Sequence, residues 1–501
     1  MCGIVGYTGN KEALGVIIEG LKKLEYRGYD SAGVALQYQE RLAVHKAAGS
    51  VAALESNLKE VDKNVHTGIG HTRWATHGRP TDNNAHPHSS CCGDIALIHN
   101  GIIENYRQLK QELAHDKKHS FSSETDTEVL AHLVEEHYNG DLLEAVKLAL
   151  QRVKGSYALV VLSVREPGRI VCARQDSPLV IGLGEGENLI ASDIPALLAH
   201  TRRALIMEDG ELASITSGRV DLIDRAGAPV RREAMEITWD IEAAEKGGYE
   251  HFMLKEIMEQ PAAVKETMRQ RLDLDRQKVD LSELGFSEGE LKSLEKIHIV
   301  ACGTAYHAGI LGKAVIEKLA ALPVEVDVAS EFRYREPLLG NNQLVLVISQ
   351  SGETADTLAA LRLARQSGVK VLAITNVVGS SVSREADQVL YTWAGPEIAV
   401  ASTKAYLTQL IALYLFALYL GEIRTVAGKD RVEIIKGLAA LPDQLKTVLG
   451  EESLAQLKAY CEHLARWESA FFIGRNLDYP VAMEGALKLK EISYIHAEAY
   501  A

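Results

Sequence analysis

Residues 297–320 read IHIVACGTAYHAGILGKAVIEKLA, a short apolar run that ends in a Cys-Gly turn and passes directly into a helical pattern. The same order of strand, small-residue loop and helix returns in residues 343–368, QLVLVISQSGETADTLAALRLARQSG, and the apolar run VKVLAITN follows at 369–376. Continuous apolar strands that alternate with helices indicate a parallel, doubly wound sheet covered on both faces. This part of the chain is therefore predicted to have an α/β fold.

The pattern begins again near the carboxyl end. Residues 470–493, AFFIGRNLDYPVAMEGALKLKEIS, place Gly474 between an apolar run and a helix, as Gly303 stands in the first copy. A second, related domain is predicted to start here. Because one strand and one helix cannot bury a core, the sequence is interpreted as stopping inside that domain at Ala501.

Composition limits the class of protein. A chain of 501 residues is too long for one hydrophobic core, and its net charge of −14 disfavours nucleic acid or an anionic membrane as a partner. The most apolar stretch, residues 405–421, is slightly short for a spanning helix and is predicted to be a core helix. With no secretory signal and six cysteines at no framework spacing, a cytoplasmic location is expected.

The amino-terminal half follows a different pattern. Short β-branched runs such as YALVVLSV (157–164), separated by Gly, Asp and Pro turns, predict antiparallel strands. Two helical patterns interrupt them, at residues 104–115 and at residues 124–138, the second after a predicted capping region at Ser122 and Ser123. A layered α+β class is the consequence.

A composition change at residues 238–272, with a Gly247-Gly248 break, marks the predicted boundary between the two halves. The chain is divided into an α+β domain (1–240), a helical linker (241–280), a first α/β domain (281–450) and the start of a second (451–501).

Cys2 stands directly behind the initiator methionine. If Met1 is removed, Cys2 carries an α-amino group of pKa about 7.7–8.0 beside a thiol of pKa about 8.5. A base poised near neutrality would then lie within one residue of its nucleophile. The alternative is that Cys2 is a small buried residue of an edge strand, and position alone leaves both possibilities open.

Other segments supply what a glutaminase needs: a guanidinium for the α-carboxylate, a carboxylate for the α-ammonium, and an amide plus a backbone N–H for the oxyanion. Arg73 lies in the loop HTRWATHGRP (71–80), Asn100 and Gly101 follow the strand IALIH, and Asp126 lies in ETDTE. Each has an ordinary alternative, namely a surface charge, a hairpin turn and a carboxylate that complements a helix dipole.

The stretch HPHSSCC carries four residues that resemble zinc ligands: His86, His88, Cys91 and Cys92. All four fall within seven residues, without the loop that usually separates two pairs of ligands. No metal is expected there.

The loop SQSGET (349–354) lies between a predicted strand and a helix. Its hydroxyls and the free N–H groups of a helix N-terminus make a phosphate cradle without a lysine, although a well-capped helix start is the alternative. The loops CGT (302–304) and VASTK (400–404) also follow strands of this sheet. Ligands of such sheets bind beyond the carboxyl ends of the strands.

Glu484, Lys488 and Glu491 are spaced at i, i+4 and i+7, which places them on one helical face. They are either an exposed ladder of ion pairs or the base and cation of an aldose–ketose isomerisation, which moves a proton between C1 and C2 of a sugar.

The motifs MCGIVGY, LEYRGYDSAG, HTRWATHGRPT, NAHPH, HNGIIEN and SETDTE, in this order, resemble those of the N-terminal-nucleophile (Ntn) glutamine amidotransferases. With SQSGET and VASTK, the resemblance narrows to the glutamine–fructose-6-phosphate aminotransferases and covers the whole chain. It implies an αββα Ntn-hydrolase domain followed by sugar-isomerase (SIS) domains, the second incomplete. It also implies the substrates L-glutamine and D-fructose 6-phosphate, the product D-glucosamine 6-phosphate, no cofactor and a homodimer.

The resemblance also implies a role for each matching residue. Cys2 is the nucleophile, Asn100 and Gly101 stabilise the oxyanion, Glu491 is the isomerase base and Lys488 stabilises charge. The residues implied in glutamine binding are Arg73, Trp74, Thr76, His77 and Asp126, of which Trp74 also gates an ammonia channel. The residues implied in sugar-phosphate binding are Thr304, Ser349, Gln350, Ser351, Thr354, Val400, Ser402 and Glu484.

Two departures limit this expectation. Ala305 stands where members of the family often have serine, which puts one hydroxyl contact in doubt. A histidine and a lysine of the family's sugar site lie beyond Ala501, so this chain is expected to keep glutaminase activity and to make the amino sugar inefficiently. Another Ntn amidotransferase and a non-catalytic sugar-phosphate-binding protein are the alternatives.

Overall fold

The computed structural model describes residues 2–25, 29–59, 61–62, 64–74, 78–115, 117–237, 246–426 and 430–501. The chain divides into two compact units, Met1–Glu245 and Lys246–Ala501, called unit 1 and unit 2 below.

Unit 1 is built from antiparallel strands and short helices. Its described strands are β1 (Gly3–Thr8), β2 (Ser31–Gln37), β3 (Leu42–Ala48), β4 (Thr67–Arg73), β5 (His88–Ser89), β6 (Ile95–Ile103), β7 (Gly155–Ser163), β8 (Ile170–Gln175), β9 (Val180–Leu183), β10 (Asn188–Ala191), β11 (Arg203–Ile206), β12 (Leu212–Thr216), β13 (Arg219–Ile223), β14 (Pro229–Val230) and β15 (Met235–Glu236). Its described helices are α1 (Ala13–Leu24), α2 (Val51–Asn57), α3 (Tyr106–His115), α4 (Glu128–His137) and α5 (Leu142–Leu150).

The strands form an eight-stranded sheet, β15-β11-β9-β10-β1-β4-β2-β3, and a seven-stranded sheet, β14-β13-β12-β8-β7-β6-β5. Alternate residues of a strand point to opposite faces, so each sheet contributes to two cores. In β1, Ile4 packs between the sheets, whereas Val5 and Tyr7 pack with α1 and α2. Helices α3 to α5 cover the outer face of the other sheet. The predicted α+β class with αββα layers is confirmed.

Helices α1, α2 and α5 were not predicted from the sequence. In α1 two glycines and a β-branched run weaken the helical pattern, and packing outweighs that propensity. A Cβ at Gly20 would lie 3.0 Å from Val5 Cγ1, so the glycine lets α1 approach the sheet closely.

The predicted cap at Ser122 and Ser123 is wrong. Helix α4 begins at Glu128, and the backbone N–H of each serine donates to the Glu128 carboxylate at 2.7 Å. The two serines therefore fix a side chain of the first helical turn rather than its backbone.

Unit 2 alternates strands and helices. Its described strands are β16 (Leu272–Asp273), β17 (Lys278–Val279), β18 (Lys296–Ala301), β19 (Val324–Val328), β20 (Gln343–Ser349), β21 (Lys370–Thr375), β22 (Gln388–Tyr391), β23 (Ser469–Ile473) and β24 (His496–Tyr500). Its described helices are α6 (Phe252–Met268), α7 (Glu288–Ser293), α8 (Gly303–Ala320), α9 (Ala329–Tyr334), α10 (Ala355–Gln366), α11 (Ser381–Glu385), α12 (Lys404–Ile423), α13 (Arg431–Val448), α14 (Glu451–Leu464) and α15 (Asp478–Ser493).

Five of these strands form a parallel sheet in the order β19-β18-β20-β21-β22, with a hydrophobic core on each face. The predicted doubly wound α/β fold is confirmed. Helix α12 has the length and composition to cross a membrane, but 67% of its most apolar window is buried. Its Leu413, Leu415 and Phe416 are completely buried in the core, as the sequence predicts.

Two further segments join unit 2. Val264 and Met268 of α6 belong to the same core as the strands of the parallel sheet. Strands β23 and β24 form a separate parallel pair, and α15 connects them and packs against α8. This packing brings α15 to the carboxyl edge of β18.

Candidate active site

Cys2 lies at the amino end of β1, a strand in the middle of the eight-stranded sheet. The interpretation of Cys2 as a residue of an edge strand is therefore wrong. The backbone N–H of Trp74 donates to Cys2 Sγ at 3.2 Å, and the thiol is half-buried. A Cβ at residue 3 would lie 2.6 Å from Thr72 Oγ1, so Gly3 allows the chain to turn into β1 beside β4.

Burial raises the pKa of the Cys2 thiol, and the hydrogen bond from Trp74 and the charge of Arg73 offset only part of this rise. The thiolate is the reactive form of cysteine, so this thiol requires a base to activate it at neutral pH.

Asn100 places its side-chain amide next to Cys2. Its Nδ2 donates to the backbone oxygen of Cys2 at 3.0 Å, and its Oδ1 lies 2.9 Å from His71 Nε2. Burial lowers the pKa of His71 to about 3, so the imidazole is neutral at physiological pH. An amide oxygen can only accept a hydrogen bond, so the proton belongs on Nε2, which donates to Asn100 Oδ1. His71 thus fixes the orientation of the Asn100 amide.

Gly101 follows in the same strand, because β6 continues through it to Ile103. The alternative of a hairpin turn at Asn100-Gly101 is therefore wrong. Gly101 has φ +131°, and a Cβ there would lie 2.1 Å from the carbonyl oxygen of Ser156 on β7. Only glycine fits this position.

Arg73 ends β4 and is buried, with only 4% of its surface exposed, so it is not a surface charge. Its guanidinium donates to the backbone oxygens of Gly78 and Arg79 at 3.2 and 3.4 Å. Trp74 follows it and is 49% exposed. Thr76 and His77, which the sequence analysis proposed for glutamine binding, lie outside the described residues.

Asp126 precedes α4 and is buried. Its Oδ2 accepts a hydrogen bond from the backbone N–H of Ile103 at 2.8 Å, so the carboxylate is tied to the end of β6. It therefore lies on the stretch of strand that presents Asn100 and Gly101, rather than in the first turn of a helix.

A group of buried histidines lies behind these residues. The ring of His86 stacks on His71 with centroids 4.1 Å apart, His88 contacts Thr125, and His99 contacts Thr127. Burial lowers the pKa of all four imidazoles and keeps them neutral. No role was predicted for His71 from the sequence, although its place in HTRWATH beside Arg73 is a signal.

In unit 2 the SQSGET loop joins β20 to α10. Ser349 Oγ accepts the N–H of Gly352 at 3.0 Å and lies 3.2 Å from Thr354 Oγ1, and Ser351 Oγ accepts the N–H of Glu353 at 3.2 Å. The backbone oxygen of Gln350 accepts the N–H of Asn376 at 3.2 Å, which ties the loop to the end of β21. The loop is a compact turn of hydroxyls at the carboxyl edge of the sheet.

Thr304, in the first turn of α8, meets the polar face of α15. Its Oγ1 donates to Glu484 Oε1 at 2.9 Å and accepts from Lys488 Nζ at 3.0 Å. Lys488 also pairs with Glu491, so the predicted single helical face is confirmed. Glu484 is buried and Lys488 half-buried, so the alternative of an exposed ladder is wrong for these two.

Two residues near this site were missed by the sequence analysis. His307 lies one turn after Thr304, and its Nδ1 is 2.8 Å from Glu484 Oε2. Glu397 accepts the Ser402 hydroxyl at 2.9 Å and the N–H groups of Thr403 and Ala405, so it holds the start of α12. The spacing of His307 after Thr304 was a signal, whereas nothing local points to Glu397.

Two of the predicted sugar-phosphate contacts, Val400 and Ser402, lie in the loop between β22 and α12. The Ser402 hydroxyl is engaged with Glu397, and Val400 is 72% exposed.

A cysteine beside an amide donor on an αββα fold, joined in one chain to a parallel sheet with a hydroxyl-rich loop, defines a glutamine amidotransferase that carries a sugar-isomerase domain. Residues 71–199 match the glutamine amidotransferase domain and residues 290–419 match the SIS domain. The chain belongs to the isomerizing glutamine–fructose-6-phosphate aminotransferase family.

That membership is shown by relatives of this name along the whole chain. It is 54% identical over 502 residues to the one from Clostridium tetani and 56% over 501 residues to the one from Caldanaerobacter subterraneus subsp. tengcongensis. A relative from Thermus thermophilus is 51% identical over 501 residues. Each match covers 100% of this chain and 82% of the relative.

Proposed function

We propose that this chain transfers the amide nitrogen of L-glutamine to D-fructose 6-phosphate and isomerises the product to D-glucosamine 6-phosphate. The observation that carries the proposal is the contact between Cys2 and the Asn100 amide that His71 orients. It occurs in a chain more than half identical to relatives named for this reaction.

The first half-reaction is hydrolysis of glutamine at Cys2. After removal of Met1, the α-amino group of Cys2 takes the proton of the thiol, and Sγ attacks the carboxamide carbon. Asn100 Nδ2 and the N–H of Gly101 donate to the oxyanion that forms. The C–N bond breaks, the α-ammonium returns its proton to the leaving ammonia, and water hydrolyses the γ-glutamyl thioester to glutamate.

The substrate is held at its α-carbon. Arg73 pairs with the α-carboxylate and Asp126 with the α-ammonium, and Thr76 and His77 also take part in glutamine binding. Asp126 supports this role because it is buried and attached to the strand that presents the oxyanion donors. Trp74, half exposed beside Cys2, controls the release of ammonia.

The second half-reaction uses the loops of the parallel sheet. Ser349, Gln350, Ser351 and Thr354 hold the 6-phosphate at the start of α10, where the helix dipole favours an anion. Thr304, Val400, Ser402 and Glu484 contact the sugar.

Proton transfer between C1 and C2 falls to α15. Glu491 takes the proton, and Lys488 stabilises the negative charge that develops on the sugar oxygen. The contact of Lys488 with both Glu491 and Thr304 supports this assignment, because it holds the cation between the base and the loop after β18.

We propose the domain division that the sequence predicts: a glutaminase domain (1–240), a helical linker (241–280), a first SIS domain (281–450) and the start of a second (451–501). We also propose a homodimer in the cytoplasm that binds neither nucleic acid nor membrane.

Labelling with 6-diazo-5-oxo-L-norleucine, a glutamine analogue with an electrophilic carbon, tests the glutaminase proposal. Intact mass and peptide mapping should show loss of Met1 and one adduct at Cys2, and Cys2→Ser should abolish labelling. Cys461→Ser is the matched control, because Cys461 is an exposed thiol of unit 2 and its loss should change nothing. An adduct at Cys91, Cys92 or Cys302 instead, or a retained Met1, would contradict the mechanism.

A further inference from the structure

Unit 1 contains a second cluster of reactive side chains, which the proposed reaction does not use. Cys91 lies in the turn between β5 and β6, His119 follows α3, and His132 and Glu135 lie on α4. Each residue contributes one side-chain atom, and these four atoms lie within 4.8 Å of one another. They are a sulfur, two imidazole nitrogens and a carboxylate oxygen. These four residues are called the Cys91 cluster.

Four of the six distances between ligand atoms of the Cys91 cluster match those around a tetrahedral ion. Cys91 Sγ lies 3.3 Å from His119 Nδ1 and 3.5 Å from His132 Nδ1. Glu135 Oε2 lies 3.3 and 3.6 Å from the same two nitrogens. A tetrahedral Zn²⁺ with bonds of about 2.3 Å to sulfur and about 2.0–2.1 Å to nitrogen and oxygen places its ligand atoms about 3.3–3.6 Å apart.

The arrangement of the side chains also favours a cation. His119 Nε2 lies 2.9 Å from Glu136 Oε1, and its Nδ1 faces Cys91 Sγ and Glu135 Oε2. A carboxylate behind a histidine is the usual outer partner of a metal-bound imidazole. The centre thus gathers nitrogen, oxygen and sulfur atoms of the types that ligate Zn²⁺.

The surroundings hold the cluster in place. Glu135 accepts the N–H groups of Cys91 and Cys92 at 3.0 and 3.1 Å, so its carboxylate is fixed by the turn it faces. The side chains of His119 and His132 are only 7% and 1% exposed, whereas Cys91 is exposed and leaves a path for an ion. Cys92 Sγ donates to the other oxygen of Glu135 at 2.9 Å and stands outside the tetrahedron.

We propose that Cys91, His119, His132 and Glu135 bind one Zn²⁺ in a structural site. Thiolate, imidazole and carboxylate together suit zinc, and four protein ligands leave no open position for catalysis. Binding releases the thiol proton of Cys91.

The zinc site lies close in sequence to residues of the proposed glutaminase site. Cys91 lies four residues before β6, which carries Asn100 and Gly101, and α4 begins two residues after Asp126. The ion therefore connects the turn before β6, the strand that carries the oxyanion donors, to α4, the helix that follows Asp126.

This zinc site differs from the absence of metal that was expected for HPHSSCC. His86 and His88 of that stretch belong to the histidine group instead, and the three partners of Cys91 lie 28, 41 and 44 residues further along the chain.

Metal content of the whole purified chain tests the proposal. After reconstitution with Zn²⁺ and dialysis, elemental analysis should find one Zn²⁺ per chain. Replacement by Co²⁺ should give the strong visible bands of tetrahedral cobalt and a thiolate-to-cobalt charge-transfer band. Cys91→Ser should lose the charge-transfer band and most of the metal, and Glu136→Gln should weaken zinc affinity by about 10–100-fold.

Cys92→Ser is the matched control, since it alters the neighbouring thiol and should keep both metal and spectrum. A chelator should lower the melting temperature of the wild type and of Cys92→Ser, and should leave that of Cys91→Ser unchanged. Substoichiometric zinc in the reconstituted wild type, with no tetrahedral cobalt spectrum, would show that the cluster holds only protons and would overturn the proposal. Loss of metal with Cys92→Ser but not with Cys91→Ser would overturn the ligand assignment.

Discussion

Replacement of Asn100 tests how the nucleophile and its oxyanion donor work together. Asn100 donates to the Cys2 backbone oxygen at 3.0 Å and accepts from His71 at 2.9 Å. The oxyanion forms only after Sγ has attacked, so loss of its donor should lower kcat for glutamine hydrolysis and leave KM nearly unchanged. Removal of one such donor costs about 10²–10³ in kcat, or about 2.7–4 kcal/mol.

The stability cost depends on which residue replaces Asn100. Asn100→Ala leaves the buried His71 Nε2–H without a partner, which should cost about 1–3 kcal/mol of unfolding free energy. Asn100→Asp keeps an acceptor for His71 at nearly the same volume, but it turns a carboxylate oxygen toward the Cys2 carbonyl that Nδ2 now contacts, so it should also lose stability. It should lose at least as much kcat, because it places a negative charge where the oxyanion forms.

Glutamate release measured over a range of glutamine concentrations gives kcat and KM for both variants. Alkylation of Cys2 by iodoacetamide in the uncharged variant Asn100→Ala is the control, since this reaction forms no oxyanion and should run at the wild-type rate. A variant that keeps kcat and raises KM, or that slows hydrolysis and alkylation equally, would refute the role of Asn100.

Two further predictions concern the histidine group and the phosphate loop. Burial lowers the pKa of His71 to about 3, whereas the unfolded side chain titrates near 6.5, so the unfolded state binds more protons between these values. Stability should therefore fall as the pH drops from about 6.5 toward 3, by about 1.4 kcal/mol per pH unit for each such histidine, and hydrogen exchange of β4 and β6 should report it. Protection that stays constant from pH 7 to about pH 5 would contradict this. Gly352 has φ +66°, and a Cβ there would lie 2.1 Å from Ser380 Oγ. Gly352→Ala should cost about 1–3 kcal/mol and raise KM for fructose 6-phosphate without changing glutaminase activity. Gly289→Ala, on the exposed helix α7, should be neutral or slightly stabilising, and an equal rise in KM for both variants would count against the loop.

Local patterns were sufficient for much of the fold. The alternation of apolar strands with helices predicts the parallel sheet of unit 2, and the long apolar run at residues 405–421 predicts the core helix α12. Helix α1 was missed because its glycines and β-branched residues lower helical propensity. The need for a glycine becomes clear only in the fold, where Gly20 packs against Val5 of the sheet.

The residues of the candidate sites also fall into two groups, those that the sequence predicts and those that it does not. Residue types that chemistry requires at a given point of the chain could be recognised from sequence: Cys2 behind Met1, Asn100-Gly101 after a strand, and the spacing of Glu484, Lys488 and Glu491. The residues that orient or contact these side chains could not be recognised from sequence. His71 orients Asn100 from 29 residues away, and Thr304 meets Lys488 from 184 residues away.

The sequence by itself determined the family, the two kinds of layered fold and the identity of the candidate nucleophile, because periodicity and local motifs depend on neighbouring residues. Only the tertiary structure decided that β1 is a central strand, that four histidines are held neutral, and that Cys91 meets His119, His132 and Glu135. Those properties depend on burial and on contacts between distant segments. HPHSSCC shows the difference, since its two histidines join the histidine group, whereas Cys91 meets three candidate ligands from distant parts of the chain.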